Sequence, residues 1–233
     1  MTVSVGFFKK ISDWIRDGYS QEIMYRPFQV NGNPYKSRVF LVGFYPETFA
    51  HFHLDDAKIY ADSLVDQELF EQLNGVEIDA ASREYKGSLN FSQWMKEKFG
   101  ENVVLTYVNA FMAKDDKQFK QMKKENHVLY QTGKRLFEEV LHEFGPEIII
   151  IQGSKAFDEF REIYQDRLVH KADAFHTGTV QELEKLGIIA EYPLRNGETC
   201  KVLACRNMSY FGKEGATFGK VKETLSGLLN SLE

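Results

Sequence analysis

Apolar residues first recur at helical spacing at Phe7, Phe8, Ile11, Trp14 and Ile15, which predicts an N-terminal helix stopped near Gly18. A polar stretch over 25–36 follows, with Asn31-Gly32-Asn33-Pro34 as its breaker. Residues 38–43 are a short apolar, β-branched run and predict a buried strand. Helical patterning resumes over 55–73, with a break near Asp66, and again from Ser88 as a cap through Phe99 to Gly100. The alternation then repeats: a strand over 102–108, one long helix over 117–144 closed by Gly145-Pro146, and a strand over 147–152. Ser154 caps a further helix to about Tyr164. Residues 188–193 and 199–205 flank Asn196-Gly197, a hairpin signal, and Thr217 opens a last helix over 218–229.

Strands alternating with helices, three of them fully apolar, predict an α/β fold. The expected form is a three-layer αβα sandwich whose mostly parallel central sheet has about four strands. No repeat or linker divides the chain, so residues 1–233 read as one domain, with 1–36 a helix and loop packed on the core. In such sheets ligands sit beyond the carboxyl ends of the strands, so the loops to inspect follow Gly43, Val108, Gln152 and Cys205.

Composition narrows the function classes. Two cysteines in 233 residues exclude a disulfide framework and a four-thiolate zinc or iron–sulfur centre. No apolar run approaches the ~20 residues of a membrane helix, and Lys9, Lys10, Asp13 and Arg16 interrupt any signal-like stretch, so a soluble, cytoplasmic protein without a membrane partner is expected. A net charge of −5 argues against indiscriminate polyanion binding. Local runs leave one basic face open: Lys114, Lys117, Lys120, Lys123 and Lys124, then Arg195, Lys201, Arg206, Lys213, Lys220 and Lys222.

The common α/β enzyme motifs are missing. No Gly-Lys pair is followed by Ser or Thr, no G-x-G-x-x-G follows a strand, and Gly153-Ser154 is not a nucleophile elbow. One metal-like cluster, His51-Phe52-His53-Leu54-Asp55-Asp56, is similar to the H-x-H-x-D-H signature of metallo-β-lactamase-type hydrolases, with Asp56 in place of the last His. The plainer expectation is an Asp55 helix cap beside two solvated histidines and no bound metal. A metal-dependent hydrolase using His51, His53 and Asp55 stays as an alternative.

Three loops carry more chemistry. Gly43-Phe44-Tyr45-Pro46 is a tight turn at a strand end, with Tyr45, Phe49 and Phe52 available for stacking. Asn109 offers a donor and an acceptor together, suited to the edge of an amide or nucleobase. Arg206-Asn207-Met208-Ser209-Tyr210-Phe211 gathers polar, basic and aromatic groups on one turn.

In this order the loops resemble the uracil-DNA glycosylase superfamily. Members share a strand ending in G-x-[DN]-P, a later strand ending in a base-reading Asn, and a late H-P-S or N-P-S turn. Gly43-Phe44-Tyr45-Pro46 is similar to the first motif, Asn109 falls at the second, and Asn207-Met208-Ser209 looks like the N-P-S turn. The stretch from Phe137 to Phe160 is similar to the family's hydrophobic strand and following L-G-x-x-A turn, and the resemblance spans most of the chain. Tyr45 stands where active members carry the Asp or Asn that positions water, so Glu47 is the candidate carboxylate, with His51 or Asp55 as lesser ones.

The resemblance implies metal-independent hydrolysis of the N-glycosidic bond of a flipped base in DNA, with no cofactor. Glu47 and Asn207 are then catalytic, Tyr45 or Phe52 stacks on the base, and Asn109 reads its edge. Gly43, Pro46 and Ser209 shape the site, and Arg206 steadies the anionic base or a phosphate. The other reading is a non-catalytic module of the same fold that binds DNA or a nucleobase-containing ligand.

Overall fold

The computed structural model describes residues 2–19, 23–46, 54–79, 82–113, 115–170 and 172–230. Helix α1 (Val5–Tyr19) leads to strands β1 (Met24–Tyr25), β2 (Phe28–Val30) and β3 (Val39–Gly43). Helices α2 (Leu54–Ser63), α3 (Gln67–Asp79) and α4 (Arg83–Phe99) precede β4 (Val103–Tyr107) and β5 (Phe111–Met112). Then come α5 (Asp116–Lys124), α6 (Val128–Phe144), β6 (Ile148–Gln152) and α7 (Ser154–Tyr164). The chain ends through β7 (Val169–His170), α8 (Val180–Glu184), β8 (Ile188–Pro193), β9 (Thr199–Cys205), a 3-10 turn at Met208–Tyr210 and α9 (Gly219–Asn230).

The fold is α/β with a mixed central sheet ordered β2-β4-β3-β6-β9-β8-β7. Its four middle strands, β4, β3, β6 and β9, are mutually parallel. The expectation of about four strands is corrected to seven among the described residues, because β2, β7 and β8 add antiparallel pairing at the flanks. β1 and β5 form a separate antiparallel pair.

Period-two alternation sends each parallel strand's side chains to two cores. Phe40, Val42, Val104, Ile149, Ile151 and Val202 join one core. Val39, Leu41, Val103, Ile148, Ile150 and Leu203 join the other. Both faces must be apolar because helices cover both. Phe7, Ile11 and Ile15 of α1, with residues from α2, α3 and α5 to α8, pack into the first. Tyr85, Phe91 and Met95 of α4 and Val221, Leu225 and Leu229 of α9 pack into the second. Cys200 and Cys205 sit in opposite cores, as their odd spacing on one strand requires.

The helix near 83–99 is capped by Ser82, whose hydroxyl accepts from the Tyr85 N–H at 3.1 Å; Ser88 instead lies inside it, bonded to the Glu84 carbonyl. The expected single helix over 117–144 is two. α5 stops at Glu125, Asn126 turns through the left-handed region at φ 47, and His127 caps α6 through Nδ1. Among the described residues, no helix is long and apolar enough to cross a membrane.

One ion-pair cluster ties α1 and the β8–β9 hairpin to α6. Glu139 is buried and accepts from Lys10 and from the Arg195 guanidinium at 3.2 and 3.3 Å. Burial raises its pKa, but Lys10 and Arg195 outweigh that, and the carboxyl sits below the usual glutamate range. A lowered folded-state pKa contributes stability that is complete above the unfolded value of about 4.3 and lost as pH falls through the folded one. Urea unfolding of Glu139→Gln against wild type should therefore show a stability gap at pH 7 that closes as the pH falls below about 4.3. A gap that is unchanged down to pH 3 would remove Glu139 from the acid response.

Candidate functional site

The parallel strands end together at one edge of the sheet. Gly43 pairs with Tyr107 and Gln152 with Cys205, so the loops after β3, β4, β6 and β9 leave from a common line. β4 lies on one side of β3 and β6 on the other, so the strand order reverses at β3. In open α/β sheets ligand crevices form at such a switch point, here between the ends of β3 and β6.

That crevice is a cleft of about 430 Å³. Phe44 and Tyr45 line it from the β3 loop, Gln152 and the start of α7 from β6, Asn207 from β9 and Glu84 from α4. Its size falls within the range of roughly 300–1,000 Å³ usual for small-molecule sites. A smaller chamber of about 20 Å³ adjoins it, and Tyr45, Glu84 and Gln152 line both.

Each wall has a local cause. Tyr45 is fixed by ring packing on Phe44 and Phe119, at centroid distances of 5.0 and 5.6 Å, and its hydroxyl donates to Asp116 at 2.8 Å. Gly153 starts α7 at φ +80 with no side-chain cap, and a Cβ there would sit 3.4 Å from the Asn207 amide nitrogen. Asn207 caps the 3-10 turn: its Oδ1 accepts from the Ser209 N–H at 2.8 Å, while its Nδ2 donates to the Glu84 carboxylate. Gln152, 6% exposed, joins the two sides. Its Oε1 accepts from the Met208 N–H and its Nε2 donates to the Ser88 hydroxyl, both at 3.1 Å.

The structure brings Tyr45 and Asn207 together, and it moves others away. Asn109 is 0% exposed and is not part of the cleft lining. Its backbone N–H and its side-chain amide both donate to the Phe44 carbonyl, at 3.1 and 3.3 Å, so the expected base-reading edge is turned into the protein. Arg206 is likewise diverted. Its guanidinium and backbone N–H donate to Glu184, which holds the arginine above its usual pKa range, so the group expected to face a base or phosphate is engaged in an ion pair. Ser209 sits half-buried in the 3-10 turn, Gly43 lies beneath the Tyr107 ring and Pro46 is buried. Glu47, Phe52, His51 and His53 lie outside the described residues, as do Phe49 and Lys114. Asp55 belongs to the first turn of α2 rather than preceding it as a cap, and its side chain is also outside the description.

The basic runs are partly spent on ion pairs. Lys123 binds Glu159 and Glu162, Arg195 binds Glu139, and Lys220 binds Glu223. Lys117, Lys120 and Lys124 are exposed on α5, next to Tyr45 through Asp116, and Lys155 lies on the cleft. Among the described residues no three His, Cys, Asp or Glu side chains are grouped as a metal site.

Glu84, Ser88 and Lys155 were not singled out by the sequence as site residues. Gln152 marked a loop to inspect only as the carboxyl end of its strand. A scan against protein-family models and a search of curated proteins both find no match to this chain.

Proposed function

We propose that this chain is a divergent member of the uracil-DNA glycosylase-like fold, a three-layer αβα sandwich, that hydrolyses the N-glycosidic bond of a flipped base in DNA. The reading rests on one observation above all. The loops after β3, β6 and β9 converge on one cleft at the point where the strand order reverses, and the β3 and β9 loops are two of the three on which the resemblance rests. The cleft supplies what a base requires: the Tyr45 ring for stacking and the Asn207 amide for its polar edge. Stacking on one ring contributes on the order of 1–3 kcal/mol per base.

A second reading, a non-catalytic module binding DNA or a nucleobase, draws on two observations. Tyr45 replaces the water-positioning acid or amide, and Asn109 faces the Phe44 carbonyl.

The test is a panel of oligonucleotides, each carrying one altered or mismatched base, incubated with the protein and scored for alkali-labile abasic sites. Abasic product from at least one base, reduced at least tenfold in Tyr45→Ala and Asn207→Ala, is the expected result. Binding that depends on the same two residues, with no abasic product, selects the non-catalytic module. No product and no binding contradict both readings.

A further inference from the structure

The small chamber beside the cleft has the dimensions of a single water. About 20 Å³ is open to a water centre there, where one water requires roughly 10–15 Å³ and two to four polar partners. Its polar lining includes Glu84, Ser88 and Gln152, and Tyr45 and Tyr107 close its sides. Because Tyr45, Glu84 and Gln152 also line the cleft, a water held in the chamber borders whatever stacks on Tyr45.

One hydrogen bond holds the Glu84 carboxylate beside this chamber, and three more brace the helix turn that carries it. Asn207 Nδ2 donates to Glu84 Oε2, which sets the head group. The Ser88 hydroxyl donates to the Glu84 carbonyl at 3.0 Å and accepts from Gln152 Nε2, which sets the helix turn beneath it. Gln152 Oε1 holds the Met208 N–H, one residue after Asn207, so the α4 side and the β9 side are locked to each other through one buried amide. The carboxylate is thereby presented by a helix turn braced against the sheet, as a general base requires.

We infer that Glu84 is the catalytic base of this site and that the Ser88–Gln152–Glu84 chamber holds the attacking water. The inference rests on the hydrolytic reading above and deepens it by moving the water-activating carboxylate from the β3 loop to the first turn of α4. In the step, the water oxygen bonds to C1′ of the sugar while one of its protons passes to the Glu84 carboxylate. The C1′–N bond breaks with its electron pair staying on the base nitrogen. The departing base anion takes a proton from solvent, and Glu84 releases its own to solvent. Gln152 and Ser88 are positioning residues; neither exchanges a proton with the reacting atoms.

Single-turnover base release is measured on the most reactive oligonucleotide of the panel, for wild type, Glu84→Gln, Glu84→Asp and Glu47→Gln, with oligonucleotide affinity measured in parallel. General-base catalysis contributes roughly 10²- to 10⁴-fold. Glu84→Gln should lose on the order of 100-fold in rate, with affinity within about twofold of wild type, and Glu84→Asp should recover part of the loss. The wild-type rate should rise with pH through a carboxylate titration, a limb missing from Glu84→Gln. If Glu84→Gln releases base at the wild-type rate, or Glu47→Gln alone is inactive, this inference is overturned while hydrolysis stands. If the wild type releases no base at all, the hydrolytic reading fails and this inference with it. Should Glu84→Gln not fold, Glu84→Asp carries the test: a reduced rate at unchanged affinity supports the inference, and a wild-type rate overturns it.

Discussion

Gly87→Ala is expected to cost about 3 kcal/mol of stability, at the upper end for an overpacked site. A Cβ at position 87 would lie 1.8 Å from the Met208 carbonyl oxygen and 2.6 Å from its carbon. Both surfaces are backbone: one is α4, the other the 3-10 turn that carries Asn207 and Ser209. Neither can rotate aside as a side chain would, so the helix must separate from the turn. Alanine's better helix propensity returns only about 1 kcal/mol. The same displacement pulls Glu84 from Asn207 and Ser88 from Gln152, so ligand affinity should fall in whatever fraction stays folded. Urea unfolding gives the first quantity directly. A loss under about 1 kcal/mol would mean that α4 and the turn are not in the contact described.

Arg206→Met should be of similar size for a different reason. Glu184 is 4% exposed, and its carboxylate accepts the Arg206 guanidinium and backbone N–H. Removing the cation leaves a buried carboxylate with the backbone bond but without its counter-charge, and breaking a buried pair on one side costs roughly 3–5 kcal/mol. The surviving backbone bond places the expectation near the lower figure, about 3 kcal/mol. Replacing both partners, as in Arg206→Met with Glu184→Leu, should restore much of that loss, since no charge is then stranded. If the single variant is as stable as wild type, Arg206 is available to a ligand after all.

The parts of the fold that were legible in the sequence are those where burial on both sides forces an unmistakable pattern. β3 and β6 are continuous apolar runs because each faces two cores, and Asn196-Gly197 announced the β8–β9 hairpin. β2 escaped because three residues, Phe28-Gln29-Val30, sit against the breaker at 31–34, too short for periodicity to register. The break between α5 and α6 escaped because Glu125, Asn126 and His127 include neither Gly nor Pro. Asn126 supplies the left-handed turn instead.

The site divides in the same way. That Tyr45 and Asn207 line the cleft was legible because they follow strand ends, where position in the sheet dictates exposure to the crevice. Asn109 meets the same criterion, yet sequence gives a side chain's functional groups and not its direction, and the Phe44 carbonyl takes its amide. Glu84 depends on a contact 123 positions away, with Asn207. The local hint was Gly87, a glycine inside a helix, where about 1 kcal/mol is lost unless close packing requires it.

The claim that the cleft between Tyr45, Gly153 and Asn207 is the ligand site is tested most directly by amide chemical-shift mapping. The titrant is a short oligonucleotide with one unpaired, altered base, at fixed salt. Saturable shifts are expected centred on residues 44–45, 84–88, 152–156 and 207–209, absent in the Tyr45→Ala/Asn207→Ala double variant. Shifts confined to other surfaces, such as the groove by Asn31, Gln93 and Asn102, or equal shifts in the double variant, would contradict it.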